Sequence, residues 1–438
     1  MIGKIDIPIG NLNILTNQLC RAMAKENYGL VLNSNGYVFN NPVSDSLRKY
    51  DLLAAIGAKR IISPSSNFFD SFKESVNLSN TWLFGFLGYD LKNDIEKLSS
   101  SNTDYSDFPQ MLFFEPEWVF AVEKGRLTIH FDPSLHSKQM AGTMYDQIMK
   151  APRIHTTVAN APKLKPRTAQ DDYLKTVEKV IAHIQRGDIY EMNLCQEFFS
   201  ENVDFNPIES YIRLNEISPT PFSAFGKFNQ NYVLCASPER YLCKRGTKVV
   251  SQPIKGTGPR GSTPFEDMLF RQSLLNNQKE RAENIMIVDL VRNDLSRIAA
   301  KGSVTVDELC GVYPFRQVNQ LISTVSCELN NQFCGVDAIR ASFPMGSMTG
   351  APKIRAMELI DRYENFQRGL FSGSIGYFDP SGDFDFNVVI RSLLYNKRKK
   401  YLSLSVGGAI TIGSNPMDEY QECMLKAQAA MQLLQNKI

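Results

Sequence analysis

Two pairs of glutamates stand three residues apart, Glu280 with Glu283 and Glu419 with Glu422, each near the start of a segment that reads as a helix. Residues at that spacing share a helix face, so each pair presents two carboxylates side by side. Glu280 and Glu283 run into Ile285-Met286-Ile287-Val288-Asp289-Leu290-Val291, which is apolar on nearly every side and predicted to be buried. Adjacent carboxylates repel, and burying them is costly unless a cation compensates. The second pair follows a well-marked helix start: Asn415 as N-cap, Pro416 at the first helical position, and Asp418 three residues after the cap. If the two helices converge, four carboxylates make an all-oxygen site for a hard cation. Mg²⁺ suits such a site, because it takes few protein ligands and keeps waters or substrate oxygens. Taken singly, each Glu-x-x-Glu pair is more commonly a solvated helix face.

Other residues offer partners for such a site. Lys255 stands in Pro253-Ile254-Lys255-Gly256-Thr257, read as a Pro- and Gly-bounded turn. It is either a solvated loop charge or an amine positioned for chemistry, and the first is the commoner state of a lysine. Upstream lies Glu239, in Ala236-Ser237-Pro238-Glu239-Arg240. Gly346-Ser347-Met348-Thr349-Gly350-Ala351-Pro352-Lys353 is a small-residue loop before a helix, with Thr349 or Gly350 as its cap. Free backbone N–H groups there would suit a carboxylate, although the string also reads as a tight loop. Arg391, predicted within a strand, can grip a carboxylate with two parallel bonds. Gly407-Gly408 in another strand is a bulge or a close approach of a ligand to the backbone.

The elements that must position these groups alternate between helices and strands. Leu174, Val177, Ile181 and Ile184 recur at helical spacing, and Gly187 supplies a stop. Tyr190, Met192 and Leu194 then alternate with Glu191, Asn193 and Cys195, which gives a strand with one apolar face and one polar face. Strands are predicted over 82–90, 232–244, 249–253, 373–378, 386–395 and 401–411, and helices over 280–298, 353–363 and 416–434. The basic run Lys397-Arg398-Lys399-Lys400 fits a solvated hairpin turn. The fold class is α+β, with much antiparallel sheet. Pro152, Pro162 and Pro166 mark 151–170 as a linker between an N-terminal subdomain, 1–150, and a larger catalytic domain, 171–438.

Composition excludes several functions. The 438 residues carry a net charge of +2 and no basic stripe, which argues against a nucleic-acid partner. No eighteen apolar residues run together, and no signal-peptide pattern opens the chain, so no membrane span is expected and the location predicted is cytoplasmic. The eight cysteines are scattered without metal-binding spacing and read as reduced, structural thiols.

An ordered series of strings is similar to the chorismate-utilising enzymes, the family of anthranilate, aminodeoxychorismate, isochorismate and salicylate synthases. It runs through Gly187-Asp188-Ile189-Tyr190, Ala236 to Arg240, Pro253 to Thr257, Ala282-Glu283 and Ile287 to Asp294. It continues through Thr349 to Ala356, Gly373-Ser374-Ile375-Gly376-Tyr377, Ile390-Arg391 and Gly407-Gly408. The series covers about 171–434, and the likeness is looser before it, with Gly85 to Leu91 the best match. The resemblance implies an anthranilate-synthase-like fold, a central antiparallel β-sandwich flanked by helices. It implies that Glu280, Glu283, Glu419 and Glu422 hold Mg²⁺ against the ring carboxylate of chorismate. It makes Glu239 the general acid for the C4 hydroxyl. It also makes Gly256, Thr257, Thr349, Gly350, Lys353, Tyr377, Arg391, Gly407 and Gly408 substrate contacts.

Within the family, anthranilate synthases usually carry alanine at the place of Lys255, whereas the first component of aminodeoxychorismate synthase carries lysine. The resemblance therefore implies that Lys255 attacks C2 as the C4 hydroxyl leaves. Ammonia then enters at C4, giving 4-amino-4-deoxychorismate on the way to 4-aminobenzoate and folate. The amine must be neutral to attack, so its pKa is expected to fall below the usual 10.4 or so. Water-adding members place lysine where this chain has Glu191, and aminating members more often have glutamine there. Gln320 replaces a histidine linked to pyruvate elimination, which weakens the alternative of an anthranilate synthase. None of the cysteines stands in a glutaminase setting, so the ammonia is expected from a partner glutamine amidotransferase chain.

Overall fold

The structure, a computed structural model, describes residues 2–39, 41–151 and 162–435. The greater part of the segment read as a linker, 152–161, lies outside the described residues. The described strands form one hydrogen-bonded network in which the ladders are antiparallel, with helices around it. The antiparallel sheet and flanking helices of the α+β reading are therefore present.

Side-chain alternation explains the layering. In the Tyr28–Asn33 strand Leu30 packs into one core and Val31 into another. Leu53 and Ala54 divide in the same way, as do Cys235 and Leu234. The period of two sends neighbours to opposite faces of the sheet. One core is dominated by strand residues such as Phe84, Phe86, Phe113, Phe114, Phe228 and Val233. The other sits between the sheet and a helix layer that contributes Leu15, Leu19, Tyr173, Val177, Tyr211 and Ala427. The network joins early and late parts of the chain: Tyr28–Asn33 pairs with Phe222–Phe228, and Leu83–Leu87 with Ser374–Phe378.

Four sequence readings are corrected at the places where strands break. The run predicted over 232–244 is two strands, Asn231–Ser237 and Arg240–Arg245, separated at Pro238-Glu239. The run predicted over 386–395 is likewise Phe384–Asn387 and Ser392–Asn396. Arg391 falls in that second gap with φ of 53°, outside any strand. Lys255, read as a turn residue, lies in the Ile254–Pro259 strand, whose register against Val318–Glu328 shifts between Ile254 and Thr257. Gly256 takes φ of +99° there, a conformation that favours glycine. The Gln278–Ser296 helix buries one face only, since Ile285 and Asp289 are exposed.

Candidate active site

One pocket gathers most of the residues singled out above. Its lining includes Glu239, Lys255, Gly256, Thr257, Glu280, Glu283, Arg391, Gly407, Glu419 and Glu422. Gly408 adjoins it, because a Cβ there would stand 3.0 Å from Glu419 Oε2. The breaks in the strands are what deliver these side chains. Glu239 turns inward where Pro238 interrupts the sheet, and Arg391 where the next pair of strands is interrupted. The two acidic pairs come from the helices Gln278–Ser296 and Pro416–Leu434, both opened by an asparagine N-cap, Asn277 and Asn415.

Glu239 is 4% exposed, and Ser347 Oγ donates to its Oε1 at 2.7 Å. Burial raises its pKa from the usual carboxylate range to about 7, against the opposing pull of Ser347, the Ile254 N–H, Lys255 and Arg391. The Arg391 guanidinium has no hydrogen bond or ion pair among the described residues. Burial lowers its pKa to about 10, opposed by Glu239 and Glu422. A half-buried, unpaired guanidinium lining a pocket is suited to a substrate carboxylate.

Lys255 Nζ lies 3.1 Å from Glu191 Oε1, with the two side chains 10% and 0% exposed. Burial pushes the lysine pKa down, but Glu191, Glu283 and Glu239 outweigh it, and the net shift is upward. The expectation of a depressed lysine is therefore wrong for this state: buried acids around the amine hold it as an ammonium. Asn284 Nδ2 fixes the strand by donating to the carbonyls of Lys255 and Leu321, at 3.1 and 3.3 Å.

At the mouth, burial raises Glu283 to about 7, aided by Glu280 and Glu191. Glu280 and Glu419 are also raised, by burial and then by Glu422 among their charged neighbours. Glu422 alone is lowered, chiefly by Lys426 at 2.7 Å. Glu419 Oε1 accepts from Ser414 Oγ at 2.7 Å, while its Oε2 is buried without a partner. Lys279 Nζ stands between the helices, 3.9 Å from Glu283 and 3.7 Å from Glu419. No group of three acidic, His or Cys side chains among the described residues is gathered closely enough to hold a metal ion directly. The four carboxylates share a pocket instead, with a lysine cation between two of them.

Four predicted contacts lie elsewhere. Lys353 Nζ is bound to Asp294 at 2.6 Å and to the Ser342 carbonyl at 3.3 Å, a buried structural pair. Thr349 is fully buried and its hydroxyl bonds back to the Met345 and Gly346 carbonyls. Neither Thr349 nor Gly350 caps the following helix, whose N-cap is Pro352. Gly350 serves close packing, since a Cβ there would lie 2.2 Å from the Glu191 carbonyl. Tyr377 lines a separate cavity with Asn33, Arg48, Tyr50, Arg240 and Asp385. The aromatic ring in the pocket belongs to Phe371, which the sequence reading missed, as it missed Lys279 and Lys426; Asn193, Ser347 and Met348 lie in strings it named without giving them a role of their own. Phe371 lies in the loop before the Ser374–Phe378 strand, outside the string Gly373 to Tyr377 that carries the resemblance. Gln320, noted only as a departure, also lines the pocket.

The geometry gathers an acid, an amine, a guanidinium and a carboxylate cluster around one pocket, an arrangement suited to a small polar substrate. Comparison with known proteins agrees. The chorismate binding enzyme family matches residues 39–432. The chain is 44% identical over 269 residues to an aminodeoxychorismate synthase of Streptomyces griseus, a match that takes in 61% of this chain and 37% of that protein. It is 33% identical to aminodeoxychorismate synthase component 1 of Bacillus subtilis, over 80% of this chain and 76% of the other. The structure resembles crystalline anthranilate synthase component I from Streptococcus pneumoniae, with a TM-score of 0.71 and 26% identity over 97% of this chain and 91% of that one.

Proposed function

The chain belongs to the chorismate binding enzyme family, and from that membership we propose that it converts chorismate and ammonia to 4-amino-4-deoxychorismate. The observation that carries this reading is Lys255, a buried amine on the wall of the pocket that also holds Glu239 and Arg391. Arg391 holds a substrate carboxylate. Glu239, with its pKa near 7, is still partly protonated at neutral pH, and that acid form gives its proton to the C4 oxygen. Protonation turns hydroxide, a poor leaving group, into water. Lys255 forms a bond to C2 as that water leaves, and ammonia then displaces it by attack at C4.

The carboxylate cluster would suit Mg²⁺ held in part through waters, since no three acidic side chains among the described residues are gathered closely enough to bind it directly. Glu419 Oε2 is a buried, unpartnered acceptor, and burial with mutual repulsion raises Glu280, Glu283 and Glu419. Glu280, Glu283, Glu419 and Glu422 would hold the cation, with Lys279 displaced from between them. When bound it would neutralise the ring carboxylate and fix its position. Ammonia comes in this reading from a glutamine amidotransferase partner. Seven of the eight cysteines are buried and Cys334 is half-buried, a poor setting for a glutaminase nucleophile.

Replacement of Lys255 by alanine tests the proposal. C4 amination should fall by about 100-fold or more, while chorismate binding survives. Undiminished formation of aminodeoxychorismate by K255A would remove the covalent role, and release of anthranilate and pyruvate by the wild type would remove the reading altogether.

A further inference from the structure

We propose that Glu191 takes the proton from Lys255 before the amine attacks, an inference that rests on Lys255 being the nucleophile. The buried ion pair motivates it. Glu191 opens the Glu191–Ser200 strand and is 0% exposed. Neither of its oxygens receives a well-aligned hydrogen bond, so its contact with Lys255 is an ion pair by distance and its lone pairs are otherwise unused. An uncompensated buried carboxylate is expensive, and Lys255 is the cation that compensates it.

The position of Glu191 is fixed. Its residue pairs with Ala351, the N–H of Tyr190 donates to the Ala351 carbonyl at 2.7 Å, and Gly350 packs directly on the Glu191 carbonyl. Other charges face Lys255 from every side. Glu280 and Glu283 come from one helix, Glu422 from the last helix, Glu239 from the strand break, and Arg391 stands beyond Glu239. Glu239 must keep its proton for the leaving hydroxyl, and the helix pairs face the mouth. Among the described residues Glu191 alone forms an ion pair with the amine, and it has no other task.

The transfer breaks one N–H bond of the ammonium and forms an O–H bond on Glu191. Two opposite charges vanish together, so no net charge is created in the buried site. The freed lone pair forms the C2–N bond, the two ring double bonds each shift by one place, and the C4–O bond breaks with its electrons. Glu239 protonates that oxygen, and water leaves. Ammonia then forms the C4–N bond, the double bonds shift back, and the C2–N bond breaks to release a neutral amine. Glu191 returns its proton to Lys255, and the new C4 ammonium returns one to Glu239. With glutamine in place of Glu191 the amine would lose its proton to water instead, and its reactivity would follow the bulk pH.

The test is the rate at which the Lys255 peptide gains the mass of dehydrated chorismate, with Mg²⁺ present and ammonia withheld, compared between wild type and E191Q across neutral pH. Ionisation of Glu239 affects both proteins alike, so the ratio of the two rates isolates Glu191. The expected result is a ratio that falls tenfold per pH unit as pH rises, because only the variant depends on solvent deprotonation. E191D, which keeps the base, should retain the wild-type profile and serves if E191Q folds poorly. A ratio independent of pH would overturn the role of Glu191 while leaving the lysine adduct in place. Absence of any adduct in wild type, together with full amination by K255A, would overturn both.

Discussion

At the scale of single residues, the chemistry depends on opposite protonation states kept within one pocket. Glu239 is held partly protonated by burial, and Lys255 is held charged by the acids around it. Glu239 gives a prediction separate from catalysis. Its carboxyl rises from 4.5 to about 7 on folding, so the neutral form suits the folded state. The favourable linkage is complete below about pH 4.5 and is lost as pH rises through about 7. E239Q, which is neutral at every pH, should therefore be more stable than wild type above pH 7, by roughly 3 kcal/mol. The difference should shrink to about 1 kcal/mol or less near pH 5 and vanish below about pH 4. Denaturant unfolding above pH 7 and near pH 5 measures it, and equal stabilities at both would show that Glu239 ionises freely. The same variant should lose C4 amination by about 100-fold or more. Glu239 and Lys255 were legible from their strings, but the ion pair to Glu191 was not. It requires two strands distant in sequence to bring their side chains within 3.1 Å.

At the scale of elements, the pocket wall is held from behind by Arg368 and Glu364, both 1% exposed. Arg368 donates to the carbonyls of Met348 at 2.7 Å and Asn193 at 2.8 Å, and both residues line the pocket. Its guanidinium also lies 4.6 Å from the Tyr89 ring centroid. Arg368→Met leaves Glu364 buried and unpaired, and unfolding measurements should show a loss of about 3–5 kcal/mol. A loss well below 1 kcal/mol would mean that the pair is not the clamp. Gly408 tests the carboxylate cluster from the strand side. The Cβ of G408A would lie 3.0 Å from Glu419 Oε2, so stimulation by Mg²⁺ should weaken several-fold with little change in Tm. A magnesium titration of activity decides it, and an unchanged response would separate Glu419 from the cation. The helices Lys353–Tyr363 and Pro416–Leu434 begin and end as predicted, although only the second has the N-cap that was read for it. The interruptions at Pro238-Glu239 and Val388–Arg391 were not predicted: a strand was read through Pro238, itself a local break signal, and Val388-Val389-Ile390 is an unbroken apolar run that carries no sign of leaving the ladder.

At the scale of the whole molecule, the α+β fold was readable because alternating strands and amphipathic helices dominate the chain. The pocket's far wall was less so. Phe371 and Ser347 carry no signal beyond their place in loops, whereas Tyr377 carried a family string and faces another cavity. No helix among the described residues is long and apolar enough to cross a membrane. A second cavity opens beside the first and shares Thr257, Glu280, Arg391, Glu422 and Lys426 with it, so the reacting centre has a neighbouring space through which a small amine can arrive. The chain by itself should accordingly use an ammonium salt but not glutamine, and addition of an amidotransferase partner should confer glutamine use. Glutamine-dependent turnover by the purified chain alone would contradict that division of labour.

The central claim, that this pocket aminates chorismate at C4, is tested most directly by identifying the product. Purified protein is incubated with chorismate, Mg²⁺ and an ammonium salt at mildly alkaline pH, and the product is separated and weighed by mass spectrometry. The expected result is 4-amino-4-deoxychorismate with its enolpyruvyl group retained, and its disappearance when EDTA is added. Anthranilate with free pyruvate would contradict the account, because nitrogen would then have entered at C2.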